Sequence, residues 1–203
     1  MVLIGDIVEE IRQQLQLYFN TGATDPNASL PDDVTLANIS LLDAFNANDP
    51  NIRDKLVISL VSIEEEKALR YARTTTVIPA PNPNDSRVIT HHPIIYLNLY
   101  LLFSSHNKEY KVSLNQLSAV VNFFQHKHVF TGADIALPDN LDKVVFELCT
   151  TSFEQMNHLW GVLGGKYVPS ALYKVRILPH ADIRDNGSGA RILRERANSQ
   201  AGS

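Results

Sequence analysis

One cysteine, one tryptophan and two methionines are spread through 203 residues. A lone Cys149 cannot close an internal disulfide, so the fold is expected to rest on packing alone, as in a reducing compartment. Long apolar runs are also lacking. The longest, Ile94 to Phe103, is broken by Asn98 and falls short of the roughly 20 residues that span a bilayer. The opening MVLIGDIVEE has no basic flank and turns acidic at once, unlike a signal peptide. Neither sign of charge dominates: 18 Lys and Arg against 22 Asp and Glu leave 18 − 22 = −4, too mild to argue for nucleic acid or an anionic membrane. No internal repeat of the roughly 20–50-residue kind is visible. The composition that remains, 44% hydrophobic and 20% charged, is that of a soluble globular protein long enough for one domain and a loose end.

Periodicity supplies the elements. Ile4, Ile7, Val8, Ile11, Leu15 and Tyr18 recur at helical spacing opposite Glu9, Glu10, Arg12, Gln13 and Gln16, which predicts an amphipathic helix. Asn20–Asp33, with Gly22, Pro26 and Pro31, reads as a loop. Val34–Leu42 alternates roughly and reads as a strand, Ala44–Pro50 as a turn, and Lys55–Ile63 as a strand. From Arg70 to His92, Pro79, Pro81 and Pro83, with Pro93 just beyond, argue against a central strand or helix interior and predict a long extended arm. Ile94–Ser104 is the strongest strand. Ile95, Leu97, Leu99, Leu101 and Phe103 form its deep-core face, and Tyr96, Asn98, Tyr100 and Leu102 a half-covered one.

Leu114, Leu117, Val120, Val121 and Phe124 predict a second helix, opened by a capping box of Ser113 and Gln116. Lys143–Thr150 is a short strand. Ser152 with Gln155 opens a third helix carrying Phe153, Met156, Trp160 and Leu163 on one face, and Gly164-Gly165 is its left-handed stop. In the last strand, Ala171–Leu178, Leu172, Lys174 and Arg176 alternate with Tyr173, Val175 and Ile177. Beyond Pro179 the chain is polar and reads as a flexible tail. The expected fold class is α/β, more strictly α+β: a single domain over residues 1–178, with a mixed sheet and flanking helices, followed by a tail over 179–203.

The motifs that could carry chemistry each have a plainer reading. A metal site needs three or four converging ligands. His126 and His128, two residues apart at a helix end, project to different sides and better serve to satisfy carbonyls there. His91-His92 belong to the arm. Adjacent carboxylates Glu64-Glu65-Glu66 can raise one another's pKa, yet at a strand end they read as a solvated cluster or a charged contact patch. Gly161 to Lys166 imitates a phosphate loop but lacks the following Ser or Thr and succeeds a helix. Cys149 has no partner histidine, and no Gly-x-Ser-x-Gly elbow occurs. The residues make no enzyme, and no cofactor is expected.

Three stretches together resemble a known family. They are LVSIEEEKALR (Leu60–Arg70), leading into the proline-bearing arm; PIIYLNLYLLFS (Pro93–Ser104), with Phe123-Phe124-Gln125 and Val129-Phe130 soon after; and Phe146–Leu178, where SFEQMNHLWGVLGGKYVPSALYKVRIL is the most specific block. The pattern is similar to the N-terminal domain of the cap, or tail-terminator, protein of extracellular contractile injection systems such as the anti-feeding prophage and virulence-cassette particles. The resemblance covers most of residues 1–178. It implies a phage tail-terminator-like fold and a homo-oligomeric ring of six subunits, seated on the last disc of the inner tube opposite the baseplate and against the last sheath ring. The charge balance and the short apolar runs already argue against a nucleic-acid partner and a membrane span, and a cap needs no catalytic role. The resemblance further implies assembly in a bacterial cytoplasm and release as part of a phage-tail-like particle. Two other readings compete: an adaptor elsewhere in such a particle, and a small metal-dependent hydrolase using the histidine pairs.

On the cap reading, contact falls to outer surfaces. The candidate interaction residues are Glu64, Glu65, Glu66, Arg70, Thr76, Arg87, Lys166, Tyr167 and Arg184, and an edge strand near Lys55–Ile63 offers a place for a partner's strand. Replacing Thr75–Arg87 by a short Gly-Ser turn is expected to leave a folded protein that no longer seats on inner tubes. Sedimentation of the variant with purified tubes checks this, and full seating would remove the arm from the interface.

Overall fold

The computed structural model describes residues 4–21, 34–41, 52, 54–66, 75–78, 87–90, 96–105, 107–138, 141–164, 167–179 and 188–190. In chain order these form α1 (Ile4–Asn20), β1 (Val34–Leu36), a 3-10 turn (Ile39–Leu41), β2 (Leu56–Glu65), β3 (Thr75–Ile78), β4 (Arg87–Thr90), β5 (Leu97–Ser105), α2 (Tyr110–His126), β6 (Val129–Thr131), β7 (Leu141–Leu148), α3 (Phe153–Val162), β8 (Ser170–Pro179) and β9 (Ser188–Ala190). Contacts divide the chain into two units, Met1–Lys67 with Tyr96–His180, and Ala68–Ile95 with Ala181–Ser203.

The first unit holds a six-stranded sheet in the order β1-β2-β5-β8-β7-β6. β1 runs parallel to β2, and the other neighbours are antiparallel. One face is packed throughout. Ile7, Val8, Ile11 and Leu15 of α1 and Ala119, Val120, Phe123 and Phe124 of α2 meet Leu56, Ile58, Leu99, Leu101, Phe103, Val144, Phe146, Val175 and Ile177 of the sheet. Phe124 sits at the centre of this layer, stacked on Phe146 at 4.4 Å between centroids and within 4.7 Å of Tyr173 and 5.4 Å of Phe103. Rings at such spacings add to their burial by favourable quadrupole geometry. Polar side chains fix the edge strand: the Val34 amide donates to Gln16 Oε1 at 2.8 Å, and the Val34 carbonyl accepts from Arg12 at 3.3 Å. Arg12 is in turn held by a fork on Glu9 at 2.7 and 2.8 Å, a pair that lowers the Glu9 carboxyl pKa.

The second helix begins a turn earlier than its capping signature predicts. Glu109 is the N-cap and makes no side-chain cap bond. Ser113 and Gln116 lie inside the helix and are buried, Ser113 accepting the Asn107 amide and Gln116 accepting the Ser105 hydroxyl. The Ser-x-x-Gln spacing is therefore tertiary bonding to the end of β5. The buried stripe is accordingly Ser113, Gln116, Ala119, Val120, Phe123 and Phe124, and Leu114 is left exposed.

Among the described residues, the other face of the sheet is covered at one end by α3. Val57 and Leu102 of the sheet, with Ile39, Ile52 and Trp160, form a second buried cluster, against which Met156, Leu159, Leu163 and Leu172 pack. The capping box at the start of α3 is complete: Ser152 accepts the Gln155 amide, and the Gln155 side chain accepts the Ser152 amide. Gly164, at φ +112°, closes the helix just past the Leu163 C-cap, where an L side chain would be strained. Phe153, expected on the packed stripe, is 97% exposed, because it occupies the first helical position, ahead of the turns that meet the sheet.

In the second unit β3 pairs antiparallel with β4, which pairs on its other side with β9. Two strands thus fall within the stretch read as an extended arm, and one within the stretch read as tail. Pro79, Pro81 and Pro83 lie between β3 and β4, so the proline argument excluded strands over too wide a span. A Thr75–Arg87 excision would remove β3 and the first residue of β4.

Ser152→Ala should destabilise the chain by about 1 kcal/mol through loss of the cap, read as a lowered urea midpoint at unchanged slope. Ser152→Asp should restore most of that loss. Equal midpoints for wild type and the alanine variant would show that α3 does not depend on its cap.

Candidate interaction surface

Where α3 stops, the second face of the sheet changes character. The ladder continues beyond the Leu102–Leu172 pair to Tyr100–Lys174 and Asn98–Arg176, with Glu64 opposite Asn98. These positions share the face of Leu102 by strand alternation, so the apolar ground under α3 gives way to a polar belt. Its bonds run across strands. Tyr100 donates its hydroxyl to Glu64 Oε2 at 2.9 Å, Asn98 donates Nδ2 to Glu66 Oε2 at 3.0 Å, and Lys174 Nζ reaches the same oxygen at 3.4 Å. Arg176 pairs with Glu147 of β7. The Glu66 amide donates to the Tyr96 carbonyl at 2.9 Å, closing the end of the strand pair. A cavity of about 490 Å³, open to solvent, is lined by Glu64, Glu65, Glu66, Asn98 and Lys174.

Burial, helped by the bond to the Glu64 carboxylate, pushes the Tyr100 phenol up to about 12, so it stays a donor at any ordinary pH. Tyr173, buried among the aromatic rings, is raised to about 12 by burial alone. Cys149, half-buried with its amide bonded to the Leu172 carbonyl, has its thiol pushed up by desolvation. That is the opposite of what an activated nucleophile requires.

Among the expected contact residues, Glu64, Glu65 and Glu66 meet around this cavity. Tyr167 stands at the opposite end of the ladder, exposed, with its ring edge-on to Trp160 at 5.8 Å. Thr76 lies in β3 opposite Ile89, and Arg87 in β4 between Ile78 and Ala190. Arg70, Lys166 and Arg184, like His91 and His92, fall outside the described residues. Asn98, Tyr100, Glu147, Lys174 and Arg176 were not anticipated. The signal was the polar half of each strand's alternation, but only the register reveals that these halves adjoin. The expected edge at β2 exists in part: β1 covers Leu56–Ile58, and among the described residues no strand flanks the outer side of Leu60–Glu65.

His126 Nδ1 lies 2.7 Å from the Asn122 carbonyl oxygen at the end of α2. Among the described residues no three His, Cys, Asp or Glu side chains are placed to hold a metal ion, and no helix is long and apolar enough to cross a membrane.

The family model described as the Pvc16 N-terminal domain matches residues 6–192. Two solved structures are similar to the chain. One is the PVC sheath/tube terminator of an extracellular contractile injection system in its extended state, at 15% identity and TM-score 0.53, with 99% of this chain and 64% of that one covered. The other is the tube-terminating cap of the anti-feeding prophage, at 17% identity and TM-score 0.44, with 98% of this chain and 62% of that one covered. Both are structural parts of particles rather than enzymes. The chain thus spans about 64% of the length of the sheath/tube terminator and shares its fold, a mixed sheet with flanking helices of the kind expected from the sequence. No curated protein matches the sequence significantly.

The raised phenols carry a testable sign. A folded pKa of about 12 for Tyr100, against 10.0 unperturbed, gives stability that is full below pH 10 and lost as pH rises through about 12. Glu64→Gln should bring the Tyr100 titration down, but not to 10, since burial is the larger cause. Ultraviolet titration of the folded protein checks this, and an unmoved phenol would remove Glu64 from the belt.

Proposed function

The chain belongs to the Pvc16 N-terminal domain family, and from that premise we propose that it caps a contractile injection particle as a non-catalytic tail terminator. Six copies form a ring that closes the end of the inner tube opposite the baseplate and touches the last sheath ring. The particle is assembled in the producing cell's cytoplasm and released. The observation that carries this reading is the family match over residues 6–192, joined to the fold shared with the sheath/tube terminator.

The physical requirement is a surface complementary to a tube end that offers nothing for a further tube subunit to continue from. A closed ring meets it, because it leaves no helical partner site open. Binding of this kind is built from pre-ordered surface groups, not from a reactive centre. The polar belt is such a surface: its side chains are held in register by the ladder before any partner arrives. We assign partner contact in the first unit to Glu64, Glu65, Glu66, Lys166 and Tyr167, and in the second to Arg70, Thr76, Arg87 and Arg184. The edge of β2 from Leu60 to Glu65 accepts an extended segment of a sheath subunit by strand addition.

Electron microscopy of purified particles carrying a tagged copy should place the tag as a ring at the end away from the baseplate. Deletion of the gene should yield tubes of uncontrolled length. A tag at the baseplate end would instead establish the adaptor reading, and wild-type tube lengths after deletion would overturn the cap.

A further inference from the structure

We propose that α1 keeps both end strands of the six-stranded sheet closed to strand addition, directly at β1 and through the turn after β6, and so confines an incoming strand to the border of β2. The helix has the means on its two flanks. Arg12 and Gln16 lie to one side of its buried stripe Ile7, Ile11 and Leu15, and Glu10 and Gln14 to the other, as a step of about 100° per residue requires.

At β1 the closure is direct. The Ala37 amide donates to the Ile58 carbonyl, so by alternation Val34 and Leu36 turn their main-chain groups away from β2. Gln16 Oε1 accepts the Val34 amide at 2.8 Å, and Arg12 donates to the Val34 carbonyl at 3.3 Å. Arg12 is itself restrained by its fork on Glu9. The arrangement repeats at the far border. The Phe146 amide donates to the His128 carbonyl, so Val129 and Thr131 turn away from β7. Asp134 Oδ2 takes the Thr131 amide at 2.9 Å, and the Asp134 and Ile135 amides take the Thr131 carbonyl at 2.9 and 3.2 Å. The turn that makes this closure is pinned to the opposite flank of α1. Glu10 Oε2 accepts the Ala136 amide at 3.3 Å, and Gln14 Nε2 lies 3.5 Å from the Asp134 carbonyl oxygen.

Each end strand thus presents two residues outward, and one of the two is closed. A single remaining position gives too short a run for a lasting ladder. Side chains and a turn, unlike a further strand, close a border without creating a new one. α1 gives β2 no such cover beyond β1, where Leu60 and Ile63 are 43% and 49% exposed.

The inference rests on the strand addition at β2 proposed above. Its test uses the purified full-length chain alone, so no outcome bears on tube seating by the wild type. The double variant Arg12→Ala/Gln16→Ala, which spares the buried stripe, should speed hydrogen exchange at the Val34 amide by about tenfold. Its weight-average sedimentation coefficient should also rise with concentration more steeply than that of wild type. Adding Leu36→Pro removes the other outward amide of β1 without touching the ladder to β2. Sedimentation should then return to wild type while exchange at Val34 stays fast. Asp134→Ala should speed the Thr131 amide to a similar degree, and an unmoved Thr131 would overturn the claim for that border. Unchanged exchange at Val34 would remove α1 from β1. Fast exchange without added association would show that an opened β1 recruits no strand, which ends the proposal. Association that Leu36→Pro leaves in place does the same, because it arises elsewhere. If the double variant does not fold, Gln16→Ala, a half-buried change that removes one of the two bonds, decides by the same readouts.

Discussion

Eight consecutive pairs tie β5 to β8, from Leu97–Ile177 to Ser104–Ser170, and the other features of the first unit depend on that ladder outrunning the helix on its second face. A sheet must bury at least one face, and here α1 and α2 supply an uninterrupted cover. On the opposite face α3 spans only the end around Leu102 and Leu172. Had the strands ended with the helix, the molecule would be a plain two-face sandwich. Because they continue, Asn98, Tyr100, Lys174 and Arg176 stand on a rigid backbone with no helix of the described chain above them. Order supplied by packing at one end thereby extends to the other.

How much of this was legible in the residues differs by interaction range. Elements defined by a repeating pattern were readable: the 3.6-residue recurrence of α1, the alternation of β5 and β8, and the Ser152–Gln155 box, which the structure closes with both of its hydrogen bonds. Local signatures misled where distant parts of the chain competed for the same atoms. Ser113 and Gln116 have cap spacing, but the end of β5 and the loop after it claim their side chains. Phe153 is apolar and in phase with Trp160, yet phase along a helix does not say how far the opposing sheet extends. The belt was the least legible feature. Its members come from β2, β5, β7 and β8, and no one-dimensional pattern encodes that Glu64 will lie opposite Asn98.

The prolines between β3 and β4 show a related limit. Proline forbids a ladder bond at its own position, which is a statement about single residues. Extended to the whole interval from Arg70 to His92, it hid two four-residue strands. The same applies to the polar stretch after Pro179, where the low apolar content argued against a packed core but not against the main-chain bonds by which Ser188–Ala190 joins β4.

The register shift in β2 between Leu60 and Ser62 bears on how copies of the chain meet one another. A straight, apolar sheet border is a template for stacking identical molecules into insoluble fibres. Beyond Ile58 this border carries Leu60 and Ile63 in water, which is the hazardous composition. A bulge twists the strand at the point where its cover ends, and Glu64 and Glu65 place like charges on any copy that approaches border to border. Copies of the chain are thereby kept from stacking border to border until a differently charged surface is presented.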